Sequence, residues 1–314
     1  MHPAFSVIFF TVASGAGYGL FILMALGYIL GFIEFNKTLV LVGGLLSLGL
    51  ISAGLLSSTL HLANPKNAWR AFFRFKTSWL AREGVFAILF YPVALLFLFG
   101  VWVNAEKPDY NGLVAVIGFA AFTLAFATLF STGMIYACLK TIRQWNTALT
   151  PTNYILLGLA SGSVLLVAVL ALNHQPVNLL ATLSVILISM AAISKAIYYF
   201  WVRTVTGPTI NTATGFTRAQ VRLLDTGHTA GTFLTDEFAY FAPVNLLLSL
   251  RMTVFIAGFF IPLLLIGLIA LGVQSVYLAL LAVLASFVGI GAERWLFFAE
   301  ARHVIRLYHG EQHV

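Results

Sequence analysis

An all-α, polytopic membrane fold is what this sequence predicts, and three observations carry it. First, the chain is 61% hydrophobic and only 9% charged, where a soluble domain carries about 25% charge. Second, the charges come in clumps with long empty gaps. None falls between Phe5 and Ile33, and the gaps from Arg143 to Lys195 and from Arg251 to Glu293 hold 51 and 41 residues. A helix needs about 20 apolar residues to cross the hydrocarbon core, so each long gap is two helices joined by a hairpin. Third, the cationic residues are sharply one-sided once eight spans are drawn. With spans at about 5–32, 38–62, 79–103, 110–138, 151–172, 179–201, 249–272 and 274–300, one side holds 15 Lys and Arg and the other only Lys37 and Lys107. Such asymmetry marks the cytoplasmic side, so both termini are expected there, in a single integral-membrane domain over 1–314. A count of seven or nine spans scatters these charges.

Taken in order, Met1-His2-Pro3-Ala4 lacks a basic region, and the apolar run after it is too long for a signal peptide. It is therefore expected to be a retained first span. Small residues there (Ser14-Gly15-Ala16-Gly17) and in the fifth span (Ser161-Gly162-Ser163) align in a thin 4+4 duplication, or simply let helices pack closely. The second span ends at His61. Asn64 and Pro65 suit the start of a short helix. Lys66, Arg70 and Arg74 then recur every fourth residue, while Trp69, Phe72 and Phe73 fall elsewhere. At α-helical spacing this is an amphipathic interfacial helix over 64–75, between the second and third spans. Ser78 suits the cap of the third span. Asn173–Asn178 separates the fifth from the sixth, and Gly272-Val273-Gln274-Ser275, the weakest boundary, the seventh from the eighth. Tryptophans Trp79, Trp102, Trp145, Trp201 and Trp295 fall near span ends, as interfacial indoles do. Residues 202–248 form one long cytoplasmic loop, and a loop so far above the usual length is functional or disordered. Its aromatic tail, Phe238 to Pro243, favours an ordered partner-docking surface.

Chemistry concentrates where the second and third spans meet. His61 ends one, and Glu83 lies about 7 Å inside the other, at the same membrane face. Ionisable groups at a span's edge cost less than at its centre, so each residue alone has a bland interfacial reading. Together they supply an acid and a base beside an apolar slot, the residue types needed to bind a quinone and move its protons. The nearby cations Arg82 and Arg70 favour a charged Glu83, and Trp69 and Trp79 complete the candidate binding set. At the end of the eighth span, Glu293 and Arg294 are adjacent, so they are not expected to face each other but to pair with the cytoplasmic basic cluster. One cysteine, Cys138, excludes a thiolate-built iron–sulfur or zinc site. The histidines lie in loops, tails or span ends, so neither metal nor haem is expected, although His61 with His303 leaves a b-type cytochrome as a third reading. The net charge of +7 fits membrane anchoring in the lipid bilayer and not nucleic acid.

The segments His61-Leu62-Ala63-Asn64-Pro65, Ala68-Trp69-Arg70 and Ser78-Trp79-Leu80-Ala81-Arg82-Glu83 resemble the membrane-anchor subunits of the dimethyl sulfoxide reductase (DmsC) family, as does the span count. The loop from Asp225 to Gly231 and the end Phe298 to His303 are similar to the branch anchoring a cytoplasmic sulfite dehydrogenase (SoeC type). The resemblance implies a non-catalytic anchor whose quinone half-reaction (ubiquinone or menaquinone) uses His61 and Glu83. It implies partners on the cytoplasmic face: an iron–sulfur subunit and a molybdopterin catalytic subunit that hold the other cofactors. It also implies the bacterial inner membrane and electrons drawn from sulfite oxidation. The alternatives are a quinol-oxidising anchor of a dimethyl-sulfoxide-reductase-like complex and a secondary transporter, the latter disfavoured by the lack of charge near the span midplanes.

Overall fold

The computed structural model describes residues 2–59, 65–105, 111–225, 238 and 240–314. His61, Asn64 and the loop stretch 226–237 lie outside the described residues. Among the described residues, eight helices are long and apolar enough to cross a membrane: α1 (Phe5–Ile29), α2 (Lys37–Thr59), α3 (Trp79–Asn104), α4 (Gly112–Ala137), α5 (Leu149–Leu172), α6 (Asn178–Thr204), α7 (Val244–Ala270) and α8 (Val276–Ala299). No strand occurs among the described residues. The even number of crossings places both termini on one face, with the described stretches 65–78, 138–148 and 205–225. The short links that follow α1, α3, α5 and α7 belong to the other.

Capping side chains explain where several helices begin. The Ser78 hydroxyl accepts from the Ala81 amide at 3.3 Å, Asn111 Oδ1 from the Leu113 and Val114 amides, and Ser275 from the Leu278 amide. Each satisfies a helix-end donor that has no intrahelical partner. The doubtful boundary before α8 is a true break: Gly272 takes φ 104°, which glycine alone adopts without strain, and Ser275 then starts the new helix. In the middle of α7, residues Val254–Phe260 widen into a π-helical turn. Just after it Pro262, which has no amide proton, cannot donate to the carbonyl one turn back.

The connection leading into α3 winds as a 3-10 helix over Pro65–Arg74, not at the α-helical spacing that the sequence suggested. At three residues per turn, positions four apart rotate by about 120°, so Lys66, Arg70 and Arg74 encircle the helix and form no single stripe. All three are exposed, as are Trp69, Phe72 and Phe73.

The interior has two parts. One core gathers α1, α2, α3 and α4 around Phe21, Phe90 and Phe97. The other gathers α1, α5, α6, α7 and α8 around Leu20, Leu166, Ile188 and Ile266. Helices α1 and α5 are the most buried spans and pack against each other at the centre. Their small residues make that approach possible. A methyl group at Gly19 would sit 1.9 Å from the Gly158 carbonyl oxygen, and one at Gly162 would sit 2.2 Å from the Gly19 carbonyl carbon. Large apolar side chains such as Leu95, Leu96, Phe99 and Phe119 cover the outside, the arrangement a lipid solvent demands.

On the face bearing the termini, the C-terminal tail ties the connections together. The Val304 amide donates to the Thr141 carbonyl, the Gly207 amide to the Val314 carbonyl and the Ile210 amide to the Gln312 carbonyl. Arg306 is buried and pairs with Glu311. The first part of the long loop, including a one-turn helix at Ile210–Thr214, is thereby pinned to the tail.

Candidate functional site

Glu83 lies four residues inside the start of α3 and is only 5% exposed. The pitch of the helix turns it inward, away from Arg82. Its carboxyl group bonds to the Thr132 hydroxyl of α4. That hydroxyl also lies 3.0 Å from the Thr128 carbonyl. Thr132 has one proton and two oxygens to serve. The count closes when Glu83 carries a proton of its own, donates it to Thr132 Oγ1, and Thr132 donates to the Thr128 carbonyl. Tyr18 of α1, Tyr136 of α4 and Tyr154 of α5 lie close enough to feel the charge of Glu83 when it is ionised.

The other residues singled out from the sequence make contacts of their own, none of them with this carboxyl among the described residues. Arg82 turns back to the connection before α3, donating from Nε to the Phe75 carbonyl at 2.9 Å and from Nη2 to the Lys76 carbonyl at 2.8 Å. Its guanidinium covers the Trp79 ring at 4.1 Å. Trp79 in turn meets Phe130 of α4 edge-on at 5.7 Å. Arg82 and Trp79 thus pack on each other at the start of α3, with Arg82 bonded to carbonyls and not to the carboxylate. Arg70 and Trp69 are exposed on the 3-10 helix, 5.7 Å apart as a cation over a ring. His61 lies outside the described residues. His303 starts the last 3-10 helix in the tail, where its Nδ1 accepts from the Ile305 amide at 3.1 Å. Partial burial there lowers its proton affinity below the ordinary histidine value.

A second ionisable cluster, missed from the sequence, lies in the same end of the bundle. Lys195 of α6 and Arg294 of α8 both pair with Glu293 of α8. Lys195 is 1% exposed, Glu293 0% and Arg294 2%. This corrects the expectation that Glu293 and Arg294 turn apart toward the basic loops. Consecutive residues stand about 100° apart on a helix, but the final turns of α8 are enclosed nearly all round. Glu293, Arg294, Leu296, Phe297, Phe298 and Ala299 are all buried, so both side chains turn inward and meet there. Aromatic rings close the site: Arg294 lies over Tyr154 at 4.1 Å and Lys195 over Tyr198 at 4.0 Å. Trp145 stacks on Phe297 and donates to its carbonyl at 2.9 Å. The signal was available in the sequence. Lys195 is the only charged residue inside the sixth span, and an ionisable group within a membrane calls for a partner of opposite sign.

Comparison with known proteins gives two findings. The family described as DMSO reductase anchor subunit (DmsC) matches residues 1–299. A sulfite dehydrogenase subunit of Allochromatium vinosum is 38% identical, in an alignment covering 98% of this chain and 99% of that protein.

Proposed function

The chain belongs to the DMSO reductase anchor subunit (DmsC) family, and from that premise we propose that it is the quinone-binding anchor of a membrane oxidoreductase. The observation that carries this reading is a buried, hydrogen-bonded carboxyl, Glu83, one turn inside a membrane helix whose first turn carries the stacked pair Trp79 and Arg82. The donor set fits a quinone. It offers one acid/base group, with aromatic and apolar surfaces around it, at the depth where a lipid-soluble ring meets the interface. A bound quinone supplies a two-electron, two-proton acceptor. Within the chain, Glu83 holds and releases a proton at its carboxyl oxygen, Thr132 orients that oxygen, and the Trp79–Phe130 contact keeps bulk water out. His61, at the end of the preceding span, is the second proton-exchanging group of this reading.

The face bearing both termini is the cytoplasmic one on this reading, because almost all the chain's cations lie there or in the adjoining helix ends. That face carries the interlocked tail and loops on which an iron–sulfur subunit and a molybdopterin subunit dock. Electrons then run from sulfite oxidation in the partners to the quinone pool of the bacterial inner membrane. In the assembled complex, Glu83→Gln should slow quinone-linked turnover about a hundredfold, the usual weight of one general acid–base group. Turnover with a soluble dye that accepts directly from the partners should be unchanged. Equal loss with both acceptors would show that Glu83 matters only for assembly.

A further inference from the structure

Between Glu83 and the buried ion triad lies a small cavity bounded by α1, α4, α5 and α8. It measures about 10 Å³, roughly the room that one water needs. Thr132, the partner of Glu83, lines it on one side. Tyr154 and Arg294 line it on the other, and Ser14 and Ser161 border it from α1 and α5. Buried polar groups are almost always partnered. Here the Tyr154 hydroxyl and Arg294 Nη1 are buried with no partner at full hydrogen-bonding geometry among the described residues. Tyr154 and Arg294 are near enough to engage each other, and Tyr136 to engage Tyr154, so each has only a loose protein partner. Arg294 Nη1 is only a donor, Tyr154 Oη and Thr132 Oγ1 are donor and acceptor, and all three residues line the same small space.

We propose that this cavity holds a single water, fixed by Tyr154 and Arg294 against Thr132, and that this water is the proton partner of Glu83. The proposal rests on the quinone reading above for its purpose, since it returns the proton that Glu83 gives up. In the return step, the Thr132 hydroxyl proton passes to the Glu83 carboxylate while a proton of the water passes to Thr132 Oγ1. Only O–H bonds break and form, and no electrons move. The water regains its proton from solvent on the face bearing the termini, toward which the cavity extends. Thr11, which also lines it, lies about 9 Å inside the start of α1. Tyr154 and Arg294 are positioning residues, because they act through the water.

The charged and titratable groups around this line come from every neighbouring helix. Tyr18 (α1), Tyr91 (α3) and Tyr136 (α4) surround Glu83 and its neighbouring tyrosines. On the far side Glu293 and Lys195 hold the Arg294 end, with Tyr198, Tyr199, Glu300 and Arg251 beyond them. The triad serves to anchor the guanidinium. With Nε tied to Glu293 and the guanidinium over the Tyr154 ring, the side chain is held where it lines the cavity.

Exchange of the Glu83 carboxyl proton for deuterium tests this without a quinone. In the assembled complex at mildly acidic pH, the Glu83 carbonyl band is the infrared band that disappears in Glu83→Gln, and its shift after mixing with D2O gives the exchange rate. Tyr154→Phe removes the hydroxyl and keeps the ring that Arg294 covers. Ser161→Val fills the cavity while leaving Tyr154 and Arg294 in place. Both variants should exchange roughly tenfold more slowly or worse, the weight of one hydrogen-bonded water, with dye-linked turnover unchanged. Wild-type exchange in Tyr154→Phe would overturn the proposal. So would the absence of any carboxyl band lost in Glu83→Gln. Undiminished quinone turnover in Glu83→Gln would instead overturn the quinone assignment and leave the exchange result standing.

Discussion

Replacing Glu293 with alanine should cost the protein about 3–5 kcal/mol, the penalty for stripping the counter-ion from a buried charge. The loss should show as a fall in the thermal midpoint and in the yield of monodisperse complex in detergent. Glu293 is the only anion among the three members of the triad, and both Lys195 and Arg294 close on it. Without it, two cations remain side by side where almost no solvent reaches them. The other single changes are milder, and the order is the test. Lys195→Met leaves the Glu293–Arg294 pair, and Arg294→Met leaves the Lys195–Glu293 pair. Each remnant is neutral, so each variant loses an interaction without stranding a charge. Replacing all three with Met, Leu and Met removes the desolvation penalty altogether, and buried ion clusters exchanged for apolar groups are often neutral or stabilised. A Glu293→Ala protein as stable as Lys195→Met would mean that the three charges are not enclosed together. The triple variant would keep its fold yet slow exchange at Glu83, because no guanidinium faces the cavity.

The contrast between Glu83 and the triad shows what was legible in the sequence. Within its span Glu83 is followed only by uncharged, mostly apolar residues and lies five positions after a serine that caps its helix, so a period and a cap placed it at a membrane edge. Span number followed equally directly, because apolar runs and charge gaps are one-dimensional signals. The triad depends on two helices whose charged positions lie about a hundred residues apart in the chain. A helical-wheel argument also misled at Glu293 and Arg294. It assumes one buried face, and the end of α8 has contacts nearly all round. The segment Pro65–Arg74 is helical as expected, but its winding was not legible. Its basic residues fit an α-helical stripe, yet the chain winds at three residues per turn there, with the aromatic rings left exposed. The cavity beside Thr132 has no sequence signature, since it arises where four helices fail to fill space.

Substituting alanine for Gly162 should force apart the two helices on which both halves of the bundle converge. A Cβ there would meet the Gly19 carbonyl carbon at 2.2 Å and the Leu20 nitrogen at 2.3 Å. These are main-chain atoms in a central helix, with no rotamer to move aside. The strain should reach about 3 kcal/mol, the upper part of the range for overpacking a dense interior. Small residues at such crossings are what lets membrane helices associate without a hydrophobic drive, so a lower thermal midpoint is the first expected result. The second is functional. Tyr154 and Ser161 ride on α5 and Ser14 on α1, and all three line the cavity by Thr132. Separating these helices enlarges that space and loosens the hold on its water, so Gly162→Ala should slow deuterium exchange at Glu83 while the complex still assembles at low temperature. Gly49→Ala provides the comparison. Nothing lies within 4 Å of a Cβ at Gly49, and alanine is favoured over glycine in a helix by about 1 kcal/mol. That variant should therefore match or exceed the parent in stability and leave exchange untouched. If Gly49→Ala and Gly162→Ala behave alike, the close approach of α1 to α5 is not what holds the two halves in register.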